Sequence, residues 1–114
     1  MESFVFIWDA QAGNAFVVKA FASGQVVGQA SGRWHSPDAC ELENVEVVET
    51  WRRRGIGRAL VCEVQARASH ITACSISEAG AGLLRSSGFI AGEDSDVHWS
   101  WWETVPVTTG DRDY

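Results

Sequence analysis

The sequence predicts an α/β (α+β) fold, with one mixed, mostly antiparallel twisted sheet carrying two main helices. Three observations predict it. The first four apolar runs are short, rich in β-branched and aromatic residues, and bounded by turn residues. The apolar spacing then changes to a helical period at Gly55. After that stretch come a short strand, a second helical stripe and a terminal hairpin, so the order is β-β-β-β-α-β-α-β-β. The chain has 114 residues, 46% of them hydrophobic, which fits one globular domain.

Phe4 to Trp8 reads as the first strand and Gln11 to Asn14 as a turn. Ala15 to Phe21 is the second strand. Ser23-Gly24 supplies a tight hairpin turn. Gln25 to Trp34 is the third strand, with Gly28 and Gly32 at twist or bulge positions. His35 to Asp38 is expected as a loop. Cys40 to Val48 is the fourth strand, with Leu42, Val45 and Val47 facing the core. The step from Leu42 to Val45 breaks strict alternation and predicts a β-bulge. Within Gly55 to Ser69, the residues Ile56, Ala59, Leu60, Val64 and Ala68 form one helical stripe. Ile71 to Ile76 is a strand and Glu78 to Ser87 a helix, closed by Gly88 in a left-handed cap. Phe89 to Gly92 and Val97 to Glu103 form the last hairpin. Residues 1–103 are the expected domain and 104–114 a polar, loosely ordered tail.

The formal net charge is −6, unevenly placed. Residues 1–51 and 70–114 each carry −5, whereas residues 52–69 carry +4. The acidic balance argues against a binder of duplex nucleic acid. No apolar run approaches the ~20 residues of a membrane span. Glu2 and the short run after it do not make a signal peptide. Cys40, Cys62 and Cys74 give neither a disulfide framework nor a zinc pattern, so a reducing, cytoplasmic setting is expected. No two histidines have metal-ligand spacing.

The basic island holds the informative motif, Arg52-Arg53-Arg54-Gly55-Ile56-Gly57-Arg58. It sits between a strand and an amphipathic helix. Two glycines allow successive N–H groups to point into one concavity, and the helix N-terminus adds partial positive charge. This is an anion site suited to a pyrophosphate. A Walker A string is absent, and Leu60 stands where a dinucleotide fingerprint needs its third glycine.

The remaining pattern, Arg-x-x-Gly-x-Gly at Arg52, Gly55 and Gly57, resembles the pyrophosphate loop of the GNAT family of N-acetyltransferases. Glu41 to Trp51 is similar to that family's fourth strand and lead-in. Ala81 to Phe89 is similar to its second conserved helix, which ends in Gly-Phe. The resemblance covers roughly residues 40–90. It implies the GNAT-like acyl-CoA N-acyltransferase fold with acetyl-CoA as cosubstrate. Backbone N–H groups around Arg53, Arg54, Gly55, Ile56, Gly57 and Arg58 would hold the pyrophosphate, and Arg52 and its neighbours would reach phosphates. Strands four and five would splay around the pantetheine arm. Val47 and Val48 would then offer it main-chain partners, with an amide polarising the thioester carbonyl. Ser77 takes the place of an Asn that touches the cofactor arm in many members.

Two departures stand out. Many members place a Tyr four residues before the Gly of Gly-Phe, and it protonates the departing thiolate. Here that residue is Leu84, and the only tyrosine is Tyr114. A thiol pKa near ~8.5 makes the thiolate a tolerable leaving group without that acid; a water, expected to be oriented by Ser86 or Ser87, would then protonate it. Second, only six residues separate Trp8 from Ala15, so the one or two helices usual there are missing. The acceptor site should then be open, or completed by a second subunit.

The acceptor would be an amine, which must lose a proton before attack. Glu41 matches a strand-four glutamate that acts as base in some members. Glu43 and Glu46 are its neighbours; all three also read as an acidic lining for a cation. His70 reads as a helix-end residue, His35 as a turn residue, and His98 falls near the expected acceptor cleft. Six tryptophans are expected mainly in packing; Trp99 and Trp101 share one strand face and Trp102 takes the other. The reading is direct transfer of acetyl from acetyl-CoA to a protein lysine, an N-terminus or a small cationic amine. The alternative is a non-catalytic acyl-CoA-binding or interaction module, and a third is a nucleotide-binding domain. A homodimer is compatible with each.

Overall fold

The computed structural model describes residues 3–9, 13–74, 78–92 and 95–103. Seven strands form one sheet: β1 (Val5–Asp9), β2 (Ala15–Ala22), β3 (Gln25–Ser36), β4 (Ala39–Val47), β5 (His70–Cys74), β6 (Ile90–Gly92) and β7 (Ser95–Trp102). Helix α1 (Ile56–Gln65) joins β4 to β5, and α2 (Glu78–Ser86) joins β5 to β6. The sheet order is β1-β2-β3-β4-β5-β7-β6. Only β4 and β5 run parallel, as a helical crossover requires. The expected fold class and element order are therefore observed.

The hairpin between β2 and β3 turns at Ser23 (φ +52°) and Gly24 (φ +78°). Two positive φ values make the turn whose twist matches antiparallel strands. Gly88 closes α2 at φ +91°, as the sequence predicts. Three boundaries differ. His35 to Asp38 is not a loop: β3 continues to Ser36 and a two-residue turn follows. Trp34 holds that extension, exchanging hydrogen bonds with Asn14 and packing on Phe16 at 5.3 Å. Helix α1 stops at Gln65, so His70 opens β5 instead of ending a helix. A single 3₁₀ turn at Glu49–Trp51, invisible to periodicity, precedes the Gly-rich loop. The last strand begins at Ser95, taking in two residues of the Glu93–Asp96 stretch expected to be an acidic turn. The end of the expected fifth strand at 75–76, residues 93–94 and the tail at 104–114 lie outside the described residues.

Both helices lie on one face of the sheet. Ile56, Leu60, Val61 and Val64 of α1 are buried against β2, β3 and β4. Complete burial of a side chain such as Leu60 contributes about 2 kcal/mol. Gly28 permits the approach: a Cβ there would sit 3.1 Å from Ile56 and 3.2 Å from Leu60. Gly32 is tighter still, because its Cβ would fall on the Glu41 carbonyl and within 2.9 Å of the Phe16 ring. Trp8 ties β1 to the same layer. Its Nε1 donates to Glu63 (3.3 Å), and the Arg67 guanidinium lies 4.1 Å from its ring. Trp99 and Trp101 face α2, while Trp102 stacks on His70 at 3.5 Å on the opposite face. Among the described residues, no element covers that opposite face, where Val5, Ile7 and Val26 are exposed.

The predicted bulge is present in β4. Gly32 faces Leu42 and Ser31 faces Asn44, so Glu43 is the extra residue. Glu43 and Asn44 both point away from the helices, which keeps Leu42, Val45 and Val47 on the core side.

Candidate active site

Register between β4 and β5 runs from Ala39–His70 to Leu42–Ala73 and stops there. Beyond the bulge, β4 continues beside β3 alone, and a fork opens toward Cys74. Which backbone groups face the fork follows from strand alternation. Val48 N–H donates to Val27 on β3 (2.9 Å), so the amide of Val47 points the other way, into the fork. The Val47 carbonyl accepts from Arg52 Nε at 3.1 Å. Of the two valines expected to offer main-chain partners, only Val47 therefore has its amide on the fork side.

The Gly-rich loop stands at the end of β4. Arg53 (φ +66°) and Gly55 (φ +82°) are both left-handed, the alternation that turns successive N–H groups into a concavity. Gly55 caps α1 without a side-chain bond, and no acidic residue lies in the first turn. The first helical bond of the loop is Ala59 N–H to Gly55 O. The amides of Ile56, Gly57 and Arg58 thus precede any helical acceptor and are left for a ligand. Arg52, Arg53, Arg54 and Arg58 are exposed around them. Arg54 lies 4.6 Å from the Trp51 ring, and Trp51 meets Phe4 edge-on. On the helix side of the fork lies a hollow of ~450 Å³ lined by Val45, Glu46, Val47, Arg52, Ala79, Gly80 and Leu83. Gly57 is next to two of its lining residues: a Cβ there would meet Leu83 at 3.6 Å and Val47 at 3.8 Å.

A second hollow of ~320 Å³ opens on the bare face at the base of the fork. It is lined by Glu41, Thr72, Cys74, His98 and Ser100, with Ala73, Gly92 and Trp99 at its edge. Glu41, Thr72 and Ser100 form one cross-strand row and Cys74 and His98 the next. The three strand-four glutamates separate here. Glu41 is in the hollow, with His35 Nε2 at 3.8 Å. Glu43 is paired with Arg33 at 3.1 Å. Glu46 accepts from Asn44 Nδ2 (2.5 Å) and lines the helix-side hollow. Sequence reasoning missed Cys74 and Thr72 as lining residues, because only the β5–β7 register brings them beside His98 and Ser100.

Leu84 is buried, so α2 presents no hydroxyl where the resembling family often has one. Ser86 Oγ donates to Leu83 O within its own helix. Gln65 Nε2 donates to Ser87 O, tying that end of α2 to the far end of α1 and away from the fork. Neither serine is placed to orient a water at the fork. Ser77 and Tyr114 lie outside the described residues. No group of metal-binding side chains occurs among the described residues. No helix there is long and apolar enough to cross a membrane.

The sequence profile of the acetyltransferase (GNAT) family matches residues 1–89. The chain belongs to the GNAT family. No curated protein matches it by sequence. Among solved structures, it is similar to a GNAT family acetyltransferase from Elizabethkingia anophelis with acetyl-CoA bound. That pair shares 11% identity and a TM-score of 0.73, over 87% of this chain and 97% of that one. It is similar to the ribosomal-protein-S18-alanine N-acetyltransferase from Escherichia coli, at 18% identity and TM-score 0.65, over 83% and 73% of the two chains. It is also similar to the PaiA N-acetyltransferase from Thermoplasma acidophilum in complex with coenzyme A, at 13% identity and TM-score 0.65, over 81% and 62%. At these identities the likeness is one of fold. As a GNAT protein, this chain carries the family's loop-helix unit without the helices that often follow the first strand.

Proposed function

We propose that the protein is an acetyl-CoA-dependent N-acetyltransferase that passes the acetyl group directly to an amine within a ternary complex. One observation carries the reading. Two hollows border a single β4–β5 fork from opposite faces of the sheet, one beside an uncapped helix N-terminus and one beside an acidic strand. The amides of Ile56, Gly57 and Arg58 would take the pyrophosphate, with Arg52, Arg53 and Arg54 reaching phosphate oxygens. The Val47 amide would hold the cofactor arm and polarise the thioester carbonyl. Ser77 is assigned to the same arm by its place in the sequence. Glu41 would draw a cationic amine into the open-face hollow, and Glu43 and Glu46 extend that negative strip.

The shape of that face supports a bulky or cationic acceptor. An uncovered sheet accommodates a protein lysine, an N-terminus or a polycation. Solved neighbours include enzymes for a ribosomal-protein alanine and for aminoglycosides. Residues 1–103 form the acetyltransferase domain, and three free cysteines suit a reducing cytoplasm. Leu84 favours one second reading, a module that binds acyl-CoA without transfer, since at that position α2 has an apolar side chain with no proton to give the thiolate.

Calorimetry with acetyl-CoA on wild type and Gly57→Glu tests the site. The added carboxylate would fill the groove beside Leu83 and repel phosphate. Micromolar binding by wild type, lost in a variant with an unchanged melting curve, supports the reading. Absence of binding by wild type removes it. CoA thiol release on adding amines separates transfer from mere binding.

A further inference from the structure

Resting on the transfer reading, we propose that His98 on β7 is the base that takes the proton from the acceptor amine. The open-face hollow is lined by a carboxylate, Glu41, and an imidazole, His98, either of which has lone pairs that can accept the proton. They flank the base of the fork from opposite sides, on β4 and β7, with β5 between them. Their engagements differ. Glu41 faces His35 at 3.8 Å, Glu43 is paired with Arg33, and Glu46 holds Asn44. Among the described residues, the His98 imidazole has no hydrogen bond or ion pair, and the residue is exposed. A base needs a free lone pair directed at open space, and a carboxylate with a side chain already set against it is the more encumbered acceptor. Cys74 on β5 is the direct cross-strand neighbour of His98. The groups facing the imidazole are thus Cys74 from β5 and, one row away, Glu41 from β4; Asp96 precedes it on its own strand.

The chemistry balances without another reactant. His98 takes one proton from the ammonium, and the freed nitrogen lone pair forms the bond to the thioester carbonyl carbon. The carbon–sulfur bond then breaks. The second proton leaving nitrogen reaches the CoA sulfur through water, and His98 returns its own proton to solvent. Glu41 supplies the negative charge that holds the ammonium before this step. No group on α2 is needed, which accounts for transfer despite Leu84.

The test is a pH profile of kcat/KM, read as CoA thiol release, on wild type, His98→Gln and Glu41→Gln. The amines are a lysine peptide, an alanine-N-terminal peptide and an aminoglycoside, and the fastest is carried through. Wild type should show an acid limb, the rate falling as the base becomes protonated. His98→Gln should lose that limb and about 100-fold or more in rate. Its affinity for acetyl-CoA should stay within twofold of wild type; if Gln disturbs the fold, His98→Asn takes its place. Glu41→Gln should keep the limb and raise KM. A His98→Gln enzyme with the wild-type rate and limb overturns the assignment, as does loss of the limb in Glu41→Gln. Both leave the transfer reading standing. A wild type that binds acetyl-CoA yet releases no thiol with any of the amines overturns transfer, and this assignment with it.

Discussion

Gly55 holds φ at +82° with no atom within 4 Å of where a Cβ would sit, so the demand on this residue is conformational and not steric. An L-residue in that region costs roughly 1–2 kcal/mol. Gly55→Ala should lower unfolding free energy by about that amount in urea titration, and weaken acetyl-CoA binding, because the strain is relieved by rotating the loop amides. A Gly57→Ala change should cost little, since its Cβ would meet Leu83 and Val47 only at ordinary contact distance, 3.6 to 3.8 Å. The sequence motif treats these two glycines alike. The backbone separates them, one needed for its dihedral and the other for the room it leaves. His98 shows the reverse limit. Its type suggested chemistry, but only the absence of partners around it, a three-dimensional fact, distinguished it from Glu41.

The bulge in β4 acts on a whole element. With Glu43 present, β4 bends away from β5 after four register pairs. Deleting Glu43 leaves Leu42, Val45 and Val47 on the core side, because the extra residue alone is removed. The strand would then run straight and pair further along β5, gaining hydrogen bonds of about 1 kcal/mol each. Such a variant should melt at or above the wild-type temperature in calorimetry and show no acetyl-CoA binding. Of the elements, those with clean periods were legible in the sequence. The bulge was legible because Leu42 and Val45 are three apart. The extension of β3 was not, since Trp34's contacts with Asn14 and Phe16 join residues about twenty positions away. The 3₁₀ turn at Glu49–Trp51 was too short to have a period.

At the scale of the whole molecule, the three cysteines report on three environments. Cys40 is in the core, where burial pushes its thiol up to about 12, so it stays neutral and unreactive at pH 7.5. Cys62 is exposed on α1 and Cys74 is exposed in the open-face hollow. Maleimide followed by peptide mass mapping should label Cys62 and Cys74 and spare Cys40. Acetyl-CoA with a bound acceptor should protect Cys74 only. The cofactor loop was readable from sequence because its residues are contiguous. The open-face hollow was not, because it draws on β4, β5 and β7, whose adjacency depends on the sheet order.

That order divides the sheet into unequal leaves. Strands β1 to β4 form a continuous antiparallel meander, and β5, β7 and β6 form a smaller group. Among the described residues, their strands pair along Ala39–Leu42 and His70–Ala73, with Asp38 O accepting from Ser69 and His70 N–H beside that joint. The helices bridge the same divide on one face only, where α1 packs on α2 and Gln65 holds the Ser87 carbonyl. Past Leu42 and Ala73 the leaves part, and α1, seated on the larger leaf, sets its N-terminus beside Val47 at that parting. The sheet is in this sense a seam left partly unsewn, closed at one end by the parallel pair and backed on one side by the helices.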